Sequence, residues 1–217
     1  MPCPAATTGS ISITARRAGS SQSITIDGAS IATQATSGTY IQNTGHRLIL
    51  GASENVGSGQ FWEGALLEVI VYARKVTNAE RNILHSYLAA KHGSPLSAGT
   101  LNRYTVTNGF RYHVGGIGQE TDGAVSTGTS VGLTMTGTTF MGNGRYLLAG
   151  VNALNPATGS TTTEAPAGYA TRSQRIWYLT RTGGGSGNVT MAFNLSQLGL
   201  TATNGAAMAL LYRTGTT

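Results

Sequence analysis

The chain has 217 residues, 40% of them hydrophobic and only 10% charged, with 31 glycines and a formal net charge of +6. Its charged share is far below the roughly 25% of an ordinary soluble domain, so Thr, Ser, Asn and Gln carry the polarity, a balance that suits strands and turns of secreted β proteins. The basic excess is thin and spread out, seven basic against five acidic residues through Gly93 and seven against three beyond it, which excludes the basic, aromatic-interleaved stripe of a nucleic-acid module.

Such a length accommodates one large β domain or two small ones with a buried core. Cys3 is the single cysteine, so no internal disulfide is expected. No apolar run is long enough to insert in a membrane, and an export signal, if the protein uses one, is expected outside this chain.

In chain order, SITIDGASIAT (23–33) predicts a hairpin, with Ile24 and Ile26 on one face and Asp27-Gly28 as the tight turn. HRLILGA (46–52) predicts a second strand, followed by the glycine-rich loop SENVGSGQ. ALLEVIVYA (65–73) is apolar on both faces, Leu67, Val69 and Val71 against Leu66, Ile70 and Tyr72, and predicts a central strand covered on two sides. A helix over 78–92 follows. Thr77 with Glu80 three residues on is a capping box. Ile83, Leu84, Tyr87 and Leu88 make an apolar stripe, expected to pack on the sheet of the preceding strand. Lys91 and His92 complement the dipole in the last turn, Gly93 ends the helix, and Pro95 prevents its resumption.

Beyond Pro95, strands are predicted in RYTVTN, FRYHVGGIG, TSVGLTM, GRYLLAGV, SQRIWYLTR, GNVTMAFNLS and AAMALLYRT, with NPATGSTTTEAPAG (155–168) as a loose surface loop. Short strands between Gly, Asn, Asp and Thr turns predict a second β-sandwich.

GQFWEGALLEVIVYARKVTNAERNILHSYLAAKHG (59–93) resembles the C-terminal end of a concanavalin A-like lectin/glucanase domain of the laminin-G-like type. There a closing strand of the form G-x-[IL]-x-E-[VI]-x-[VI]-Y leads into a short T/S-x-x-E helix ending in K-[YH]-G. ITIDGASIATQ is similar to that family's VDG hairpin and RLILGAS to its LxIGxx strand. FRYHVGGIGQETDGA, RYLLAGVN, RIWYLTRTGGGSGNVTMAFNLSQLGL and ALLYRTGTT resemble an uncharacterised β-sandwich domain that follows laminin-G-like domains in large bacterial surface proteins. The resemblances imply a mainly β chain with two tandem β-sandwiches, a laminin-G-like jelly roll over 1–93 and an immunoglobulin-like or similar sandwich over 94–217. Both would be incomplete, the first at its N-terminal and the second at its C-terminal side. The helix would be the clasp that closes the first sandwich.

A glucanase of this superfamily needs two carboxylates facing across a cleft. Glu63 and Glu68 are five apart and would point to opposite faces of a strand, so the chain is expected to be no enzyme, with Glu68 accepting hydrogen bonds from an arginine or a backbone group. His46, His85, His92 and His113 lack ligand spacing and read as strand or helix-surface residues. Calcium could use only Glu54, Asn55 and carbonyls of the 53–60 loop, so no cofactor is expected. GGIGQETDG (115–123) departs from a phosphate loop at Thr121 and reads as a turn.

Aromatic residues remain. Trp177 alternates with Ile176 and Tyr178 and reads as core. Trp62 and Phe61, beside Asn55 and Gln60, form the candidate ligand-binding set, in which Trp62 either packs in the core or rim or stacks on a sugar. The expected protein is a non-catalytic, secreted segment of a cell-surface protein, an adhesin or lectin-like carbohydrate-binding module whose partners are an extracellular glycan or neighbouring surface-protein domains. The alternative is a structural scaffold, a self-assembling subunit of a filament or surface layer that self-associates through open sheet edges and binds no sugar.

Overall fold

The computed structural model describes residues 10–18, 20–35, 49–52, 59–96, 101–137, 139–201 and 208–214. The chain is mainly β, built from several antiparallel sheets with one helix among the described residues. Strands β1 (Ile13–Ala18), β2 (Ser21–Ile26) and β3 (Ala29–Ala35) form a three-stranded meander. The expected Asp27-Gly28 turn is present, both residues left-handed (φ 48° and 81°), as a tight primed turn requires. Asp27 binds back to the start of β1: its carboxylate accepts the Ser12 N–H at 2.8 Å, and its own N–H donates to the Ser12 carbonyl at 2.8 Å.

Strand alternation then sorts the side chains of this small sheet. Ser12 and Thr25 are buried and Thr14 reaches the helix, whereas Ile13, Ile24 and Ile31 are exposed. The sheet turns its polar face inward and its isoleucine face outward.

Helix α1 (Asn78–His92) has the predicted bounds and both predicted caps. The Thr77 hydroxyl accepts the Glu80 N–H at 3.2 Å, Glu80 accepts the Thr77 N–H at 2.7 Å, and Gly93 closes the helix at φ 70°. Its docking differs from expectation. Ile83, Tyr87 and Ala90 pack on Tyr104, Val114, Tyr146 and Leu148, which belong to the second half of the chain. His85 faces β1, and Leu84 and Leu88 border an open groove. The apolar stripe is therefore split between two surroundings, and the most buried helix positions include the polar Asn82, His85 and Ser86.

The second half contains β4 (Tyr112–Glu120), β5 (Gly123–Val125), β6 (Thr127–Ser130), β7 (Leu133–Gly137), β8 (Arg145–Val151), β9 (Ser160–Thr161), β10 (Arg172–Ser173), β11 (Tyr178–Thr182) and β12 (Val189–Phe193). A four-stranded sheet ordered β11-β8-β4-β5 faces a three-stranded sheet ordered β12-β7-β6. Ile117 and Ala149 of the first meet Leu133 and Met135 of the second in one core cluster, with Phe140 beside them. Helix α1 covers the other face, so the sheet is buried on both sides. Trp177 packs here as expected, 5.5 Å from the Phe193 ring and donating its indole N–H to the Ser130 carbonyl at 3.3 Å.

Several predicted elements take another form. The strand expected in FRYHVGGIG is β4; it runs on through residues 115–120 of the segment also read as a turn, so that only Thr121-Asp122 turn before β5. The glycines there serve close packing: a methyl on Gly128 of β6 would overlap the Gly116 carbonyl of β4. Residues 129–135 are two strands rather than one, β6 and β7 joined at Val131-Gly132. Within 155–168, β9 pairs with β10, and Glu164 accepts a hydrogen bond from Arg172 at 2.8 Å. Residues 103–108 form no strand.

The central strand expected over 65–73 has no ladder partner among the described residues, and Leu66, Leu67, Val69, Ile70, Val71 and Tyr72 are exposed. A two-sided apolar run becomes a central strand only if neighbours flank it. Of the strand expected over 46–52, residues 49–52 are described and contribute a single bridge at Ala52.

Candidate functional site

Phe61 pairs with Ala52 in an antiparallel bridge, and the Trp62 N–H donates to the Gly51 carbonyl at 2.7 Å. These two contacts fold 59–62 back on 49–52 and fix the backbone that carries Phe61 and Trp62. A shallow depression results, lined by Gly51, Ala52, Gln60, Phe61 and Trp62. Phe61 is 61% exposed and Trp62 54% exposed, so neither ring is spent on the core. The Trp62 indole lies over Gly64, where any side chain would collide with its Nε1. Gln60 is exposed on the same rim. The structure thus brings three of the four sequence-predicted residues together; Asn55, with Glu54, lies outside the described residues. Flat apolar faces beside an amide donor and acceptor can stack on the C–H face of a sugar ring and bond its hydroxyls.

The nearby carboxylates differ in availability. Glu63 is exposed. Glu68 accepts from the Tyr87 hydroxyl at 2.9 Å and from Lys91 at 3.1 Å, and lies 2.9 Å from His92 Nε2. Its donors are therefore a tyrosine, a lysine and a histidine, not the arginine or backbone group expected. Burial pushes the Glu68 carboxyl up, but the hydrogen bonds from His92, Tyr87 and Lys91 outweigh it and hold its pKa below the usual range. This cluster pins segment 65–73 to the last turns of α1. The signal for it was Tyr87 and Lys91 at i and i+4 on one helix face, with His92 beside them in the last turn.

A second polar cluster escaped sequence reasoning. Glu120 Oε1 accepts from Tyr146 at 2.7 Å, Arg103 at 2.9 Å and Asn82 at 3.1 Å, and the Arg103 guanidinium stands 4.7 Å from the Tyr146 ring centroid. Burial, then the bond to Glu120, raises the Tyr146 hydroxyl beyond the ordinary tyrosine range. Glu120 joins α1, through Asn82, to Tyr146 of the four-stranded sheet, which holds the helix in place.

His85 is not the surface residue expected: it is 2% exposed, with Thr14 Oγ1 at 2.9 Å from Nε2. His113 reaches the Leu154 carbonyl at 2.7 Å, and His46 lies outside the described residues. Among the described residues no group of three or more His, Cys, Asp or Glu is placed to hold a metal ion.

Residues 80–217 match the family described as Domain of unknown function (DUF8202), and the chain belongs to that family. The match begins inside α1, at Glu80. No curated protein and no solved structure matches the chain.

Proposed function

We propose that the chain is a non-catalytic segment of an extracellular or cell-surface protein that adheres by binding carbohydrate at the Gln60–Phe61–Trp62 corner. The observation that carries the reading is the pair of exposed aromatic residues, Phe61 and Trp62, lining one depression with Gln60 on backbone held by the Ala52–Phe61 bridge. The engagement of Glu68 by three donors supports the non-catalytic part, because a carboxylate so occupied is poorly placed to attack or to shuttle protons. The low charge and the abundance of Thr, Ser and Gly suit an extracellular setting.

Screening the intact protein on a glycan array, followed by titration calorimetry with the best binder, tests this reading. Trp62→Ala should weaken binding by about tenfold or more, equivalent to about 1.4 kcal/mol, with the melting temperature nearly unchanged. A parent protein that binds no glycan overturns it. So does a Trp62→Ala variant destabilised by roughly 3–5 kcal/mol, the cost of truncating a buried ring.

A further inference from the structure

The sheet β1-β2-β3 ends on β1, whose outer edge has no ladder partner among the described residues. Segment 65–73 runs opposite it, also unpaired among the described residues. Between them lies a groove of about 1510 Å³, bordered by Ile13 and Ala15 on one wall, Val69 and Ile70 on the other, and Leu84 and Leu88 of α1. Rows of backbone N–H and C=O groups ask for a backbone partner, and the apolar lining asks for alternating apolar side chains. An extended strand supplies both; a helix or a flat protein surface would cover the apolar groups and leave the backbone rows dry and unpaired.

The chain itself carries such a strand. Residues 208–212, Met-Ala-Leu-Leu-Tyr, place Met208, Leu210 and Tyr212 at alternate positions. They have no ladder partner among the described residues, and Leu210 is 68% and Tyr212 79% exposed. Five extended residues span roughly 17 Å, close to the roughly 20 Å of a six-residue edge such as β1. The donor does not lie at its own groove. Arg213 stands 3.9 Å from Glu164, between β9 and β10. That hairpin is tied through Gly159 to Leu198, and the following Arg175 to Val131 in the β6–β7 turn, beyond the sheet that α1 covers.

We propose that Met208–Tyr212 of one copy adds as a strand into the groove between β1 and segment 65–73 of a second copy, linking copies head to tail. Donor and acceptor are different surfaces, so the contact is heterologous and propagates into an open chain of subunits unless its rotation closes a ring. The inference does not rest on glycan binding. Trp62 lines both the depression and the groove, but Gln60 and Phe61 line the depression alone, and the strand edge and apolar walls that would take the added strand come from β1, segment 65–73 and α1.

The test is light scattering on the intact protein from low to high micromolar concentration, with two variant classes. Leu210→Lys removes the donor; Val69→Lys, in an already exposed segment, blocks the acceptor without touching the core. The parent should grow in mass with concentration, and each variant alone should stay monomeric. An equimolar mixture should form a 1:1 dimer and nothing larger, since only one intact donor and one intact acceptor remain. A parent that stays monomeric throughout overturns the proposal, as does a Leu210→Lys variant that associates like the parent, or a mixture that does not pair.

Discussion

His85 shows what one side chain can do to the stability of this fold. Burial, and then the nearby Arg81, lower its pKa to about 4, against an opposing pull from Asp27. Among the described residues its buried Nδ1 has no hydrogen-bond partner, and neither have the buried hydroxyls of Ser12 and Thr25. The site therefore accepts the neutral ring and rejects the imidazolium. Above pH ~6.5 the ring is neutral in both folded and unfolded chains, and the contribution is fully present. As pH falls from there toward 4, the unfolded chain binds a proton that the folded chain refuses, and stability is lost by on the order of 2–3 kcal/mol. Glu80, held at about 2 mainly by Arg74, loses its own contribution only below the ordinary carboxylate range. Urea unfolding at steps between pH 7 and 4 should show the loss, and His85→Gln should flatten it; an unchanged slope in that variant would place the titration elsewhere.

At the level of elements, the packing of β4 against β6 depends on glycine. Neither Gly115 nor Gly128 leaves room for a methyl group, because backbone of the facing strand occupies the space: the Thr129 carbonyl stands against Gly115 and the Gly116 carbonyl against Gly128. Gly128→Ala must push the two sheets apart at the Ile117–Met135 core and should cost roughly 1–3 kcal/mol, read as a lower denaturation midpoint at unchanged slope. The same glycines explain why GGIG carried both a strand and a turn reading. It looks like turn chemistry when only local conformational freedom is weighed, and the strand that the structure shows has its glycines for a neighbour far away in the chain. The capping box of α1 was legible because Thr77 and Glu80 satisfy each other locally. The Asp27-Gly28 hairpin was legible for the same reason. What covers α1 was not, since the stripe Ile83–Leu84–Tyr87–Leu88 says that a face is apolar without saying which sheet will take it. Segment 65–73 failed similarly: a run apolar on both faces suits a central strand, but its neighbours decide whether it becomes one. In the candidate site, the adjacency of Gln60, Phe61 and Trp62 is sequential and therefore readable, whereas the engagement of Glu68 by α1 depended on how the helix docks.

Across the whole molecule, the interactions of α1 place the seam of the fold before the helix. Its apolar side chains enter the core of Tyr104, Val114, Tyr146 and Leu148. Asn82 bonds Glu120 and Tyr146, the Ser86 hydroxyl accepts the Arg103 N–H at 2.9 Å, and Asp122 accepts the Asn78 N–H at 3.0 Å. Toward β1 the links described are polar, Thr14 to His85 at 2.9 Å and Arg16 to Asn78 at 3.0 Å. Each large apolar side chain removed from the helix would give up roughly 1.5–3 kcal/mol of burial, and Glu120 and Arg103 would lose partners. A fragment of residues 74–217, which keeps α1, its capping box and the Arg74–Glu80 ion pair, should fold and melt cooperatively with near-ultraviolet dichroism intact. A fragment of residues 94–217 should lose that dichroism and expose the Tyr104–Tyr146 face, binding a hydrophobic dye. If both fragments melt alike, α1 is an accessory of the second half rather than part of its core, and the seam falls at Gly93 instead.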